Sequence, residues 1–174
     1  MIIDISQVLN NEDKCECYTL SFEQDVFESG LGSFPITHKS PLTLKLCNIE
    51  SRKLEISGEM ELTLSATCDR CLCDVSVPIQ IQFQREFTIE EKQLVVQDIE
   101  DTDYIIGTSL DTNELAKSEI LLHWPMKILC KDDCKGLCSK CGADLNYEEC
   151  GCDRTVLDPR MAAIQDIFNK FKEV

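Results

Sequence analysis

Between Leu54 and Thr67 apolar and polar residues alternate without a break. Leu54, Ile56, Gly58, Met60, Leu62, Leu64 and Ala66 face Glu55, Ser57, Glu59, Glu61, Thr63, Ser65 and Thr67. A period of two sends successive side chains to opposite faces, so this run predicts a long strand with one buried and one wet face. A second run has the same period, with Val75, Val77, Ile79, Ile81 and Phe83 against Ser76, Pro78, Gln80, Gln82 and Gln84. Cys68-Asp69-Arg70-Cys71-Leu72-Cys73-Asp74 joins the two, which predicts an antiparallel hairpin with cysteines at its tip. Pro78 has no N–H for a ladder and belongs at an edge or a bulge. Pro41–Cys47 predicts a third strand, with Leu42, Leu44 and Leu46 on one face. Tyr18–Phe22 predicts a fourth strand, and Tyr104–Gly107 one more short one. Glu90–Asp103 is acidic and reads as a mobile loop, interrupted by the apolar run Leu94–Val96.

The period changes after Leu110. Asp111-Thr112-Asn113-Glu114 fits the reciprocal capping pattern, with Asp as the cap, and opens a helix that should stop before Trp124-Pro125. Asp158-Pro159 opens a last helix, with Ile164, Ile167, Phe168 and Phe171 as its apolar stripe. No internal repeat is visible. The fold class expected is α+β, mainly an antiparallel sheet with a long hairpin, C-terminal helices and a cysteine segment. Residues 1–108 make the β-rich part. Residues 109–174 carry the helix, the cysteine-rich segment and the final helix, and the two parts could form one compact unit.

Charge narrows the choice of partner. The 174 residues hold 17 Lys and Arg against 32 Asp and Glu, a net charge of −15. Nucleic-acid affinity rests largely on Lys and Arg replacing counterions, so extensive direct RNA or DNA binding is disfavoured and a basic protein partner suits better. The N-terminus MIIDISQVLNN lacks the basic and apolar regions of a signal peptide, and no run approaches a membrane span. A cytoplasmic location is expected, where thiols stay reduced and many cysteines favour metal over disulfides. Cys15, Cys17 and Cys47 are expected to pack as small apolar groups.

Six of the twelve cysteines fall between Cys130 and Cys152. Cys138, Cys141, Cys150 and Cys152 make the pattern C-x2-C-x8-C-x-C, which supplies four thiolates for a tetrahedral Zn²⁺. Gly142, directly after the C-x2-C pair, permits the positive φ that such a knuckle often needs. Cys130 and Cys134 are alternates, and spacing does not decide which four bind. Four thiolates close the coordination shell, so the site reads as structural and would hold together a segment poor in apolar residues. Cys68 and Cys71 form a second C-x2-C, which could complete another metal site with Cys130 and Cys134, act as a redox dithiol, or remain reduced. A redox dithiol normally sits at a helix N-terminus, and this one lies between strands. His38 and His123 are solitary. No Ser/His/Asp arrangement, dinucleotide fingerprint or P-loop is present, and no enzymatic activity is expected.

These stretches, taken in order, resemble the YceD family, the large ribosomal RNA subunit accumulation proteins, in a cysteine-rich clostridial form. Gly58 and Cys68-Asp69-Arg70-Cys71-Leu72 resemble its G…CxRCL hairpin. Leu110-Asp111 through Leu121-Leu122 and Pro125-Met126 resemble its D-L…LPMK segment, with Trp124 where Leu is usual. Cys134-Lys135-Gly136-Leu137-Cys138, Cys141-Gly142, Leu145-Asn146 and Cys150-x-Cys152 resemble its cysteine signature, and Asp158-Pro159-Arg160 the opening of its final helix. The resemblance implies a non-enzymatic ribosome-biogenesis factor that supports accumulation or processing of large-subunit (23S) ribosomal RNA. It points to a ribosomal protein or a pre-ribosomal particle as partner and to Arg70 and Arg160 as binding residues. Two rival readings remain. One is a thiol redox-switched protein or chaperone using Cys68 and Cys71 or Cys150 and Cys152. The other is a zinc-dependent RNA-binding module, which the balance between Cys130 and Arg154 opposes: Lys131, Lys135, Lys140 and Arg154 against Asp132, Asp133, Asp144, Glu148, Glu149 and Asp153.

Overall fold

The structure, a computed structural model, describes residues 1–90, 93–95 and 103–153. The predicted final helix with Arg160, and most of the acidic run before Tyr104, lie outside the described residues. The protein is mostly antiparallel β-sheet with few helices and a cysteine-rich segment. It divides into two compact units. The first holds Met1–Cys68 and Cys73–Cys130; the second holds Asp69–Leu72 and Lys131–Val174, described as far as residue 153.

In the first unit the two alternating runs are the longest strands, β6 (Lys53–Thr67) and β7 (Asp74–Glu90). They pair from Lys53 opposite Thr88 to Thr67 opposite Asp74. The far side of β6 is shared. The strand β5 (Leu42–Ile49) takes its first half, and β4 (Gly32–Lys39) takes its second through Ile36, His38 and Lys39. Two edge strands complete that side: β2 (Cys15–Leu20) on β5, and β3 (Val26–Ser29) on β4. A short β8 (Gln93–Val95) pairs with the end of β7 at Thr88–Glu90. At Pro78 the strand therefore has β6 on one side and no neighbour among the described residues on the other, the edge position its missing N–H requires.

A small sheet joins distant parts of the chain. Its order is β1 (Ile2–Asp4), β10 (Ser109–Asp111), β9 (Ile105–Ile106), all antiparallel. Between β1 and β2 lies α1 (Ser6–Asn10), held to β5 by the buried Asn48, whose Nδ2 donates to Val8 O at 2.9 Å and Leu9 O at 3.1 Å. The helix α2 (Thr112–Leu122) follows β10 directly.

The core is the inner face of the large sheet. Leu44, Leu46, Leu54, Ile56 and Leu64 are fully buried, and so are Leu115 and Ile120 of α2. Trp124 closes one end, with ring centroids 5.8 Å from Phe27 and 4.6 Å from Phe34. Gly58 falls in the inward series because its neighbour needs the space: a Cβ there would stand 2.7 Å from the Phe83 ring directly opposite. Glu119 is 1% exposed but paired, with its Oε1 accepting from Nε and Nη2 of Arg85, each at 3.1 Å.

Several expectations change. The strand predicted over Tyr18–Phe22 runs instead over Cys15–Leu20, because its register with β5 begins at Cys15 opposite Cys47. These two cysteines form a disulfide, with Cα atoms 4.2 Å apart, and Cys17 is exposed. None of the three packs as a free apolar group in the way expected; direct opposition on adjacent strands decides the first two. Gln93–Val95 is a strand rather than loop. Only half of the capping box forms. Asp111 Oδ1 accepts from Asn113 N and Glu114 N, but the Asp111 N–H goes to Tyr104 O, and Glu114 pairs with Lys117.

Candidate metal centre

The described residues of the second unit include little apolar material. Its described buried residues are Cys71, Cys134, Gly136, Cys138 and Leu145. Backbone bonds shape it. Cys138 N donates to Ala143 O at 2.8 Å, Gly142 N to Cys138 O at 2.9 Å, and Leu145 N to Gly136 O at 2.9 Å. Gly142 has φ 76°, as its place after Cys138-x-x-Cys141 predicts. Gly136 is fixed twice over: its φ is 75°, and a Cβ would lie 2.9 Å from Arg70 O.

Within this frame the sulfurs of Cys138, Cys141, Cys150 and Cys152 lie within 4.8 Å of one another and could hold a metal ion. A tetrahedron of Zn–S bonds places its sulfurs roughly 3.8 Å apart, so a small inward movement would close it on zinc. The electrostatics prepare the site. Backbone N–H groups of Cys141 and Lys140 point at Cys138 Sγ and lower its thiol pKa to about 6. Hydrogen bonds with Cys141 and Cys150 push Cys152 up to about 12. Without a cation, crowded sulfurs oppose one another's ionisation; a divalent ion removes that opposition and takes all four as thiolates.

Cys130 and Cys134 do not join that set. Within the first unit, Cys130 N donates to Cys68 Sγ at 3.4 Å, and Cys68 N donates to Cys73 O at 2.8 Å. In the second unit Cys71 and Cys134 are buried, and Leu72 takes a positive φ of 62°. Cys73 is exposed. Arg70, proposed from the sequence as a binding residue, is exposed and makes one side-chain hydrogen bond among the described residues. Its Nη1 donates to Cys134 O at 2.7 Å, and its carbonyl accepts from Leu137 N at 3.1 Å.

Sequence reasoning assigned no role to Asn146. Its Oδ1 accepts from Lys135 N at 2.9 Å, and its Nδ2 donates to Cys134 Sγ at 3.4 Å and to Asp144 Oδ1 at 2.7 Å. It therefore holds the Lys135-Gly136-Leu137 turn and orients a sulfur, as outer partners of metal ligands do. The Asp144-x-Asn146 spacing, in which Asn146 N also donates to Asp144 Oδ1, was the available signal.

The family model described as large ribosomal RNA subunit accumulation protein YceD matches residues 56–168, from β6 through the cysteine segment. The chain belongs to the YceD family. Relatives agree. YlbN, an uncharacterized protein of Bacillus subtilis, is 32% identical over 142 residues, covering 77% of this chain and 78% of its own. An uncharacterized protein of Mycobacterium leprae is 26% identical over 79% of this chain and 64% of its own length. One from Mycobacterium tuberculosis is 25% identical over 64% of this chain and 54% of its own. The chain thus spans between about half and four-fifths of these YceD relatives. No solved structure matches. Among the described residues no helix is long and apolar enough to cross a membrane.

Proposed function

We propose that this YceD protein is a non-enzymatic assembly factor of the large ribosomal subunit, working in the cytoplasm through contacts with a basic ribosomal protein or precursor particle. The family match over residues 56–168 carries the ribosomal part of this reading. The net charge of −15 supports the rest, since an acidic protein is repelled by RNA phosphates and attracted to an unassembled cationic protein. Zinc is the metal that best suits two all-cysteine groups. It needs no redox role and no open position, and four thiolates leave none. Cys138, Cys141, Cys150 and Cys152 would hold one ion, and Cys68, Cys71, Cys130 and Cys134 a second. Both would serve the fold and not catalysis.

The test is genetic. Deleting the gene should lower the ratio of large- to small-subunit ribosomal RNA, and the wild-type chain should restore it. An unchanged ratio, with normal sedimentation of large-subunit particles, would remove the ribosomal reading.

A further inference from the structure

The outer face of the large sheet carries two adjoining grooves, of about 480 Å³ and 430 Å³. Both are lined by Thr43, Glu59 and Gln82, so they run into one another. These three residues lie in a single cross-strand row that starts at Thr19 of β2: Thr19 opposite Thr43, Thr43 opposite Glu59, Glu59 opposite Gln82. In the next row along β6, Glu61 stands opposite Gln80, and both line the first groove.

The carboxylates of this face are not equivalent. Glu55 accepts from Gln84 Nε2 at 2.7 Å, and Glu86 pairs with Lys53 at 2.8 Å. Glu59 and Glu61 are exposed and have no side-chain hydrogen bond or ion pair among the described residues. The two unsatisfied charges on β6 are thus the two that line the groove. Beside them Gln80 and Gln82 offer neutral amides that can both donate and accept.

We propose that this groove binds an extended peptide segment bearing lysine or arginine at alternate positions. Spacing supports this occupant. Glu59 and Glu61, like Gln80 and Gln82, are two residues apart on a strand and repeat at roughly 6.8 Å, which is also the repeat of alternate side chains in an extended peptide. Cationic side chains on one edge of the peptide meet Glu59 and Glu61, and the two amides bond its backbone. Lys45 lines the second groove and marks the end at which the peptide's cations stop. A nucleic-acid strand does not suit the face, because its phosphates would meet the carboxylates of Glu59 and Glu61.

This deepens the reading of a basic partner and rests on it. The probe is a fluorescent synthetic peptide alternating lysine with threonine, followed by anisotropy at physiological salt. Wild-type protein should bind it, and E59K/E61K should weaken binding about tenfold or more. The neutral pair E59Q/E61Q should weaken it about threefold, which guards against a folding defect in the first variant. E12K/E28K changes the net charge as much as E59K/E61K, at exposed carboxylates outside the groove, and should leave affinity within about twofold. Equal weakening by E12K/E28K and E59K/E61K would show that charge alone attracts the peptide; the groove would then fall and the basic-partner reading stand. No binding by the wild type would overturn both.

Discussion

The two units reach order by opposite means. The sheet unit buries Leu44, Leu46, Leu54, Ile56 and Leu64 of its strands and Leu115 and Ile120 of α2 completely. The cysteine unit buries one aliphatic side chain, Leu145, among its described residues; the rest of its described buried set is Cys71, Cys134, Cys138 and Gly136. Burial of apolar area stabilises by about 25 cal/mol per Å², so the first unit has far more of this contribution than the described part of the second. In the second, backbone turns at Gly136 and Gly142 and a clamp at Asn146 bring thiols together, and under the proposed reading a bound metal adds the cohesion.

Removing the metal should separate the two most sharply. Structural zinc contributes ~10 kcal/mol or more to small finger segments. If zinc occupies the sites as proposed, Cys141→Ser should lose the ion of its own group by elemental analysis and leave the surrounding segment without fixed structure. Acid should act in the same direction, because protons compete for the thiolates as the pH falls. In the sheet unit, Leu64→Ala should cost 2–5 kcal/mol, roughly, in urea unfolding through the cavity it leaves, with zinc content unchanged. Cys15→Ser removes the bond between β2 and β5 and should lower stability by about 2–4 kcal/mol under oxidising conditions, with no effect once the wild type is fully reduced. Gly136→Ala should cost about 1–3 kcal/mol, felt in the cysteine unit as weaker zinc retention against a chelator, since φ 75° and the Arg70 carbonyl both oppose a Cβ. If Gly136→Ala left zinc retention untouched while Leu64→Ala released zinc, the contrast between the units would be wrong.

What the sequence revealed follows the same divide. The hairpin β6–β7 was legible because its inward and outward residues alternate over the full length of both strands. The strands β3 and β4 were not, since Gly32, Pro35 and exposed alternate positions blur the period, and β1, β9 and β10 are too short to show one. The Cys15–Cys47 bond depends on the register of two strands 32 residues apart, which no local pattern encodes. The grouping of Cys138, Cys141, Cys150 and Cys152 was readable because all four lie in one short segment. Asn146 was missed as a clamp because its partners are backbone and sulfur, not another recognisable motif.

Hydrogen exchange, measured segment by segment on the zinc-loaded protein before and after a strong chelator, tests the central claim most directly. Amides of residues 131–149 should lose protection when zinc is withdrawn, while those of Lys53–Thr67 and Asp74–Glu90 keep most of theirs. Unchanged protection across residues 131–149 after complete loss of metal would contradict the account.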